Sequence, residues 1–99
     1  MYDRIIFVCE GNHSKGPIAE TIYKSLTENE NIPAISRGLV VLFSEPVNEK
    51  AVSVLENHGL TCAVEFSKEL TKEDITENAL ILTMTDKQKK QTIDKYEIE

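Results

Sequence analysis

The sequence predicts an α/β fold of the doubly wound type, with a parallel sheet of three strands in the order 2-1-3 and flanking helices. Three apolar, β-branched segments (4–8, 34–43 and 79–84) alternate with segments whose apolar residues recur at helical spacing. This alternation favours parallel strands joined by right-handed crossovers. In addition, the first apolar segment ends in a polar loop that leads directly into a helical pattern. Such loops lie at the carboxyl edge of a parallel sheet, where these folds bind ligands.

Composition limits the protein to a small set of classes. Ninety-nine residues with 40% hydrophobic content predict one domain, residues 1–99. No apolar run approaches the roughly 20 residues that span a bilayer, so no membrane association is expected. A net charge of −6 argues against nucleic-acid partners, and the basic cluster Lys87–Lys90 is interpreted as a solvated helix face. Cys9 and Cys62 stand in unrelated contexts, which predicts reduced thiols and a cytoplasmic protein.

The first strand and first helix are the most clearly patterned elements. Residues 4–8 form a continuous apolar run without alternation, as expected of a central strand buried on both faces. A helix is predicted from Pro17 to the region 28–31, before Pro33. Its inner face is predicted to hold Ile18, Ala19, Ile22, Tyr23 and Leu26, and its outer face Glu20, Thr21, Lys24 and Ser25.

The remaining elements follow the same alternation. The second strand is predicted over 34–43, with Gly38 as a bulge, and the second helix over 47–58, ending at a left-handed Gly59. The inner face of that helix is predicted to hold Val47, Ala51, Val54 and Leu55. The other predictions are an extended connection (61–66), a short helical turn (67–75) capped by Thr71 or Ser67, a third strand (79–84), and a helix (86–96) capped by Thr85 or Asp86.

The loop Val8-Cys9-Glu10-Gly11-Asn12-His13-Ser14-Lys15-Gly16-Pro17 organises the chain. A proline at the predicted helix start, after six loop residues, leaves backbone N–H groups without intrahelical partners, and such groups bind anions. Gly11 and Asn12 tolerate the left-handed backbone that turns these groups inward. Cys9 at the strand end and Lys15 at the helix start then predict an exposed thiolate in a positive field. A thiolate that faces a bound anion suggests attack on phosphorus.

These residues resemble the low-molecular-weight protein tyrosine phosphatases, whose fold arsenate reductases share. The family loop reads Val-Cys-x-Gly-Asn-x-Cys-Arg-Ser-Pro, and cysteine, glycine, asparagine and proline fall in register with it. The resemblance continues through the segments 18–20, 45–51, 58–60 and 79–85. It implies a cysteine-dependent phosphatase without cofactor or metal that forms a phosphocysteine at Cys9, with Lys15 in the place of the catalytic arginine. The residues implied to bind the phosphate are Glu10, Gly11, Asn12, His13, Ser14, Lys15 and Gly16.

Three loop positions depart from the family pattern. Ser14 replaces a second cysteine, Lys15 replaces the arginine, and Gly16 replaces a serine. A lysine offers a point charge in place of a bidentate clamp, and Gly16 lacks the hydroxyl that in the family hydrogen-bonds the nucleophile. We therefore expect weak catalysis, with a non-catalytic module that binds phosphate or a phosphorylated partner as the alternative. A third interpretation is a structural protein, or a metal site formed by Cys9, His13, His58 and Cys62.

Family members continue beyond the region that this sequence matches. The resemblance implies a fourth strand, an Asp-Pro loop that supplies the general acid, and a last helix, none of which has a counterpart here. The sequence is accordingly interpreted as a shortened or partial member. Without the fourth strand, segment 79–84 would be an apolar sheet edge, which predicts either self-association through that edge or a rearranged C-terminal helix that covers it.

Overall fold

The computed structural model describes residues 3–12, 14–26 and 32–96. Strands and helices alternate through these ranges as the sequence predicts, so the predicted α/β class is confirmed. The elements are β1 (Arg4–Cys9), α1 (Lys15–Leu26), β2 (Ala34–Gly38), α2 (Glu49–Asn57), a 3-10 turn (Lys72–Asp74), β3 (Ala79–Thr83) and α3 (Asp86–Tyr96). The predicted end of the first helix, at residues 28–31, lies outside the described residues.

The sheet has the predicted order β2-β1-β3, and both pairings are parallel. On one side of β1 the register runs from Ile5 opposite Ala34 to Cys9 opposite Gly38. On the other side it runs from Arg4 opposite Ala79 to Val8 opposite Thr83. The carboxyl ends of all three strands therefore meet at one edge of the sheet, beside Cys9.

β1 is buried on both faces, as its continuous apolar run predicts. Ile6 and Val8 belong to a core cluster with Leu39 and Leu70 on one face of the sheet. Because side chains alternate along a strand, the neighbouring residues of β1 form a second cluster on the opposite face. That cluster contains Ile5, Phe7 and Ala34. Because β1 packs into a core on each face of the sheet, the position of its last residue, Cys9, and of the loop that follows is fixed.

Helices cover both faces of the sheet. From α1, Ala19 and Tyr23 pack on the cluster around Phe7. On the other face, the end of α3 is anchored by Tyr96, whose hydroxyl donates to the carbonyl of Leu70. Lys95 Nζ in the same turn donates to the carbonyl of Leu39 over 2.9 Å. This arrangement makes the fold doubly wound.

The predicted inner face of α1 is partly wrong. Ile22 and Leu26 are exposed, whereas Glu20 and Thr21 are buried. These two polar side chains tolerate burial because both are paired. Glu20 binds Lys24 Nζ at 2.7 Å. The Thr21 hydroxyl donates to the carbonyl of Pro17 at 2.8 Å and accepts from the N–H of Ala63 at 2.9 Å, which ties the connection after α2 to this helix.

The predicted second strand is too long, because β2 ends at Gly38. The next two N–H groups, of Leu39 and Val40, still donate to the carbonyls of Cys9 and Glu10, both at 2.9 Å. After Glu10 the chain of β1 turns into the loop, so the edge strand β2 has no further partner to pair with. The apolar residues Leu42 and Phe43, predicted as strand, are consequently exposed.

The second helix is shorter than predicted, and one of its predicted core residues is wrong. α2 begins after Asn48, whose side chain accepts from the N–H of Lys50 at 2.8 Å. Val47, Ala51 and Leu55 are buried, but Val54 is half exposed. The predicted left-handed end of the helix is confirmed by φ +75° at Gly59.

The two predicted caps further along the chain are also present. Thr71 forms a capping box with Asp74 at the start of the 3-10 turn. At the start of α3, the hydroxyl of Thr85 accepts from the N–H of Gln88 at 3.1 Å. Segment 61–66 is an extended connection with one isolated bridge, from Phe66 to Pro46.

β3 pairs with β1 alone within the described part of the chain, and its other edge has no strand beside it there. Self-association through this edge stays a prediction. No helix in the described ranges is long and apolar enough to cross a bilayer.

Candidate active site

The loop after β1 connects two fixed elements over a short distance. Cys9 is the last residue of β1, and Lys15 is the first residue of α1, two residues earlier than the predicted start at Pro17. The carbonyl of Ser14 accepts the N–H of Ile18 at 3.0 Å, which is the first helical hydrogen bond. The strand end and the helix start therefore face each other across residues 10–14, and His13 lies outside the described residues.

Cys9 lies at the base of this loop and is only 5% exposed, so the expected exposed thiol is wrong. The thiol is buried because the loop closes over it. The backbone N–H of Asn12 donates to its Sγ over 3.1 Å. Cys9 nevertheless lines a cavity together with residues of the loop.

Of the two loop residues expected to tolerate a left-handed backbone, Asn12 adopts it and Gly11 does not. The φ of Asn12 is 56°, and its side chain is 1% exposed. The amide Nδ2 donates to the carbonyl of Lys68 over 3.4 Å. That carbonyl also accepts the N–H of Gly38 at 2.8 Å. The segment before the 3-10 turn thus holds both the loop and the end of β2.

Gly38 is required by close packing, and the predicted bulge is wrong because Gly38 pairs regularly with Cys9. A Cβ at this position would lie 2.7 Å from Cγ2 of Val41 and 3.0 Å from both the carbonyl oxygen of Glu10 and the carbonyl carbon of Gly11. Two of these three atoms belong to the backbone of the loop. The loop backbone can therefore pack against β2 at Gly38 only because this residue has no side chain.

Gly16 lies against the cysteine. A Cβ there would be 3.0 Å from Sγ of Cys9, 3.2 Å from Oδ1 of Asn12 and 3.4 Å from Cβ of Ser36. Two buried polar atoms, Oδ1 of Asn12 and Oγ of Ser36, have no hydrogen-bond partner within the described ranges. Both belong to residues that surround the position of this missing side chain. Because buried polar groups are nearly always paired, this cluster is shaped for a hydroxyl at position 16.

A cavity of about 190 Å³ opens above the sulfur, which is room for a phosphate-sized anion. Most of the sequence-predicted phosphate-binding residues line it, together with one residue from α3. The lining residues are Cys9, Glu10, Gly11, Asn12, Ser14, Lys15 and Gln88. Gly16 is not part of this lining, since it is buried beneath the loop.

Sequence reasoning missed Gln88 and Ser36. Gln88 lies within the basic cluster interpreted as a solvated face, where Lys87, Lys89 and Lys90 are indeed exposed. The predicted strand order did contain a usable signal, because the first turn after β3 must begin beside the end of β1. Ser36 is in register with Phe7 on a neighbouring strand, and nothing in the sequence distinguishes it from an ordinary strand serine.

The proposed metal set receives no support from the residues that are described. The Nδ1 of His58 lies 2.9 Å from the carbonyl of Val54 in its own helix. The thiol of Cys62, which is half-buried, donates to the carbonyl of Val64 at 3.2 Å. Within the described ranges, no group of three or more His, Cys, Asp and Glu side chains could hold a metal ion. His13, the fourth member of the set, lies outside those ranges.

The fold and the loop define an α/β protein in which a buried cysteine lies beneath the loop that joins β1 to α1. A sequence model of one family, the low molecular weight phosphotyrosine protein phosphatases, matches residues 4–98. The chain belongs to this family. A low molecular weight protein-tyrosine-phosphatase PtpB of Staphylococcus haemolyticus is 38% identical over 96 residues, which cover 94% of this chain and 64% of that relative. The chain thus spans less than two thirds of that relative.

Solved structures have the same fold. A low molecular weight protein tyrosine phosphatase from T. tengcongensis superposes with a TM-score of 0.87 at 28% identity, over 96% of this chain and 67% of that one. The YwlE arginine phosphatase, in a cysteine-to-serine mutant with a phosphorylated active site serine, also gives a TM-score of 0.87. It is 29% identical, and the match covers 95% of this chain and 62% of that one. The low-molecular-weight phosphatase fold is therefore established here over about two thirds of its length.

Proposed function

We propose that this chain is a weak cysteine-dependent phosphatase of the low-molecular-weight type, with Cys9 as the nucleophile. The observation that carries the proposal is the 3.1 Å hydrogen bond from the N–H of Asn12 to Sγ of Cys9, at the base of the loop cavity. This contact supports a role for the sulfur as the nucleophile of the proposed anion site. The phosphorylated active site serine of the YwlE arginine phosphatase mutant supports the same role for the residue at the strand end.

The chemistry has two steps. In the first, the thiolate of Cys9 attacks phosphorus, an S–P bond forms, and the bond to the ester oxygen breaks with its electron pair. In the second, water attacks the phosphocysteine, the S–P bond breaks, and inorganic phosphate and the thiolate are released. Backbone N–H groups of the loop and the start of α1 bind the phosphoryl oxygens through both steps. Cys9 and Lys15 are the proposed catalytic residues.

Two features support weak turnover. Lys15, exposed at the first position of α1, can give the phosphoryl group one point charge but not the paired contact of an arginine. In addition, no aspartate is among the described residues that line the cavity, so in this part of the chain no aspartate is in place to protonate the departing oxygen. Glu10 lines the cavity but adds negative charge where an anion must bind.

The same absence of a lining aspartate favours a second candidate function. Without an acid for the leaving group, the loop can hold a phosphate or a phosphorylated protein without cleaving it. The phosphate-binding residues in this alternative are the same: Glu10, Gly11, Asn12, His13, Ser14, Lys15 and Gly16. The two candidates differ only in whether Cys9 reacts.

A turnover assay separates them. The substrates are phosphotyrosine, after the tyrosine phosphatase relatives, and phosphoarginine, after the arginine phosphatase. We expect slow release of phosphate that Cys9→Ser abolishes, while Cys62→Ser, which changes the other free thiol, leaves it intact. Phosphate binding without any turnover by the wild type would favour the binding module. Turnover that survives Cys9→Ser would exclude Cys9 as the nucleophile.

The setting of this activity is also part of the proposal. Both cysteines are free thiols, which fits a reducing compartment, and we place the protein in the cytoplasm. Residues 1–99 are taken as one phosphatase-like domain. Its proposed partner is a phosphorylated substrate, with no cofactor, nucleic acid or membrane involved.

A further inference from the structure

Gln88 is the one residue from outside the loop and α1 that lines the cavity above Cys9, among the described residues. It lies in the first turn of α3, which follows β3. Since β3 and β2 flank β1 on opposite sides, Gln88 approaches the cavity from the β3 side of β1. It is half-buried, whereas the lysines on either side of it are exposed. The helix thus turns one uncharged side chain toward the anion site and its positive charges toward solvent.

The side chain of Gln88 is held in a defined orientation. Its Oε1 accepts the backbone N–H of Met84 over 3.2 Å. An N–H group can only donate, so the oxygen of the amide must face Met84 and the nitrogen Nε2 must occupy the other position. No acceptor for Nε2 is present in the described part of the chain. Two N–H donors therefore remain available on a side chain that lines the cavity.

The backbone around Gln88 is equally fixed. Its N–H donates to Oγ1 of Thr85 at 3.1 Å, and its carbonyl accepts the hydroxyl of Thr92 at 2.8 Å. Thr92 is 2% exposed, so this anchor lies in the interior. A donor that is fixed before the ligand arrives loses little conformational entropy on binding. The side chain is therefore organised for an anion.

We propose that the Nε2 group of Gln88 donates a hydrogen bond to a phosphoryl oxygen bound above Cys9. It is then a binding residue of the site, contributed by α3. The inference rests on the proposed anion site at residues 10–16. Gln88 adds to that site a neutral donor on the side that the loop itself does not enclose. Because the amide is neutral, it stabilises the anion only through this short hydrogen bond and adds no net charge to the site.

The test compares matched substitutions at two positions of α3. Gln88→Glu keeps an oxygen for the N–H of Met84 but removes the donors, and Gln88→Met removes the donors without adding charge. Gln91→Glu and Gln91→Met are the controls, because Gln91 is exposed and lines a different cavity, beside Leu39 and Val40. Inorganic phosphate is titrated into each full-length variant, with affinity read from backbone amide shifts and folding from thermal unfolding.

We expect both Gln88 variants to bind phosphate about tenfold or more weakly than the wild type, as loss of a hydrogen bond to a charged group implies. Both Gln91 variants should stay within about twofold. Gln88→Met with wild-type affinity would overturn the inference while leaving the proposed anion site intact. A wild type whose amide shifts avoid Gly11 to Gly16 would refute the proposed function, and this inference with it. If the Gln91 variants lose as much phosphate affinity as the Gln88 variants, the inference about Gln88 is also overturned.

Discussion

The backbone N–H of Asn12 donates to Sγ of Cys9 over 3.1 Å, and this contact exists because Asn12 has a φ of 56°. Left-handed backbone costs an ordinary residue about 1–2 kcal/mol, whereas glycine adopts it freely. The side chain of Asn12 makes a second contact, because its Nδ2 donates to the carbonyl of Lys68. The position therefore combines a backbone requirement with a side-chain contact, and the two can be separated by substitution.

Asn12→Gly keeps the backbone conformation and the N–H donor, whereas Asn12→Ala strains the same φ. Both remove the contact to Lys68, so the pair isolates the backbone effect. We expect the alanine variant to be less stable than the glycine variant by about 1 kcal/mol and to bind phosphate more weakly. Urea unfolding and phosphate titration measure the two quantities. Equal stability and equal affinity in the two variants would show that the φ of Asn12 does not hold the loop.

Gly16→Ser is predicted to accept a hydrogen bond from Oγ of Ser36, one of the two unpaired buried atoms beside Gly16, which leaves its own O–H free to donate to Sγ of Cys9. Gly16→Ala is the matched control, because it brings the same Cβ to 3.0 Å from Sγ of Cys9 without the hydroxyl. We expect the serine variant to be more stable than the alanine variant by about 1 kcal/mol or more, the cost of leaving a buried polar group unpaired. Thermal and urea unfolding measure the difference. An alanine variant as stable as the serine variant would contradict this interpretation.

Gly38→Ala should disrupt the loop through its backbone contacts. The added Cβ meets Glu10 and Gly11 at 3.0 Å, and backbone atoms cannot give way as a flexible side chain does. Overpacking of this kind typically costs about 1–3 kcal/mol, and here it should also lower phosphate affinity. Gly59→Ala is the control. It is strained by a φ of +75° but meets nothing within 4 Å, and it lies at the end of α2.

Both glycine variants are expected to lose stability in urea unfolding, since each introduces strain. Only Gly38→Ala should lose phosphate affinity when the folded protein is titrated. If Gly59→Ala loses affinity to the same extent, the loss reflects general instability, and the close packing of the loop on β2 is not its cause.

The outer edge of β3 is predicted to bind a second copy of the chain by strand pairing. The strand is apolar, and Leu82 is 40% exposed in the described structure. Leu82→Lys should shift sedimentation toward the monomer, because a lysine on an edge strand disfavours further pairing. Leu26→Lys, at a 77% exposed position at the end of α1, is the control for an added charge. A wild type that sediments as a monomer over the same concentrations would rule out this assembly.

The sequence was sufficient for the sheet, because β1 needs a continuous apolar run to fill cores on both of its faces. The loop could be predicted as well, since Cys9, Gly11, Asn12 and the helix start are adjacent in the chain. Other features depend on contacts between distant segments. Thr21 is buried because Ala63, in the connection after α2, supplies a partner for its hydroxyl, whereas helical periodicity alone places Thr21 on the outer face.

The same limit explains what was missed in the site. Gln88 joins the cavity through the turn from β3 into α3, and Ser36 faces Gly16 from the neighbouring strand. Neither relationship has a local signal, because each depends on the packing of segments far apart in the chain. The end of β2 is a related case, since its apolar residues continue past the point where β1 stops offering partners.

The proposed mechanism makes its strongest prediction for the leaving group. No aspartate lines the described cavity to protonate the departing oxygen, and general acid catalysis typically contributes about 10²–10⁴-fold. The rate should therefore depend steeply on how well that oxygen leaves unaided. We expect activated aryl phosphates to be cleaved far faster than phosphotyrosine, and Cys9→Ser to cleave neither.

The double substitution Lys15→Arg with Gly16→Ser tests the part of the mechanism that acts on the phosphoryl group and the thiolate. The arginine can bind two phosphoryl oxygens, and the serine can donate to Sγ of Cys9, beside which its Cβ would lie. Both groups act on the phosphoryl group and the thiolate and not on the leaving group, so both substrates should be cleaved faster while the gap between them persists. Initial rates on both esters, in the wild type, the double mutant and Cys9→Ser, provide the comparison. Equal rates on the two esters would contradict the absence of acid catalysis. A double mutant that binds phosphate but cleaves neither ester would identify the protein as a binding module.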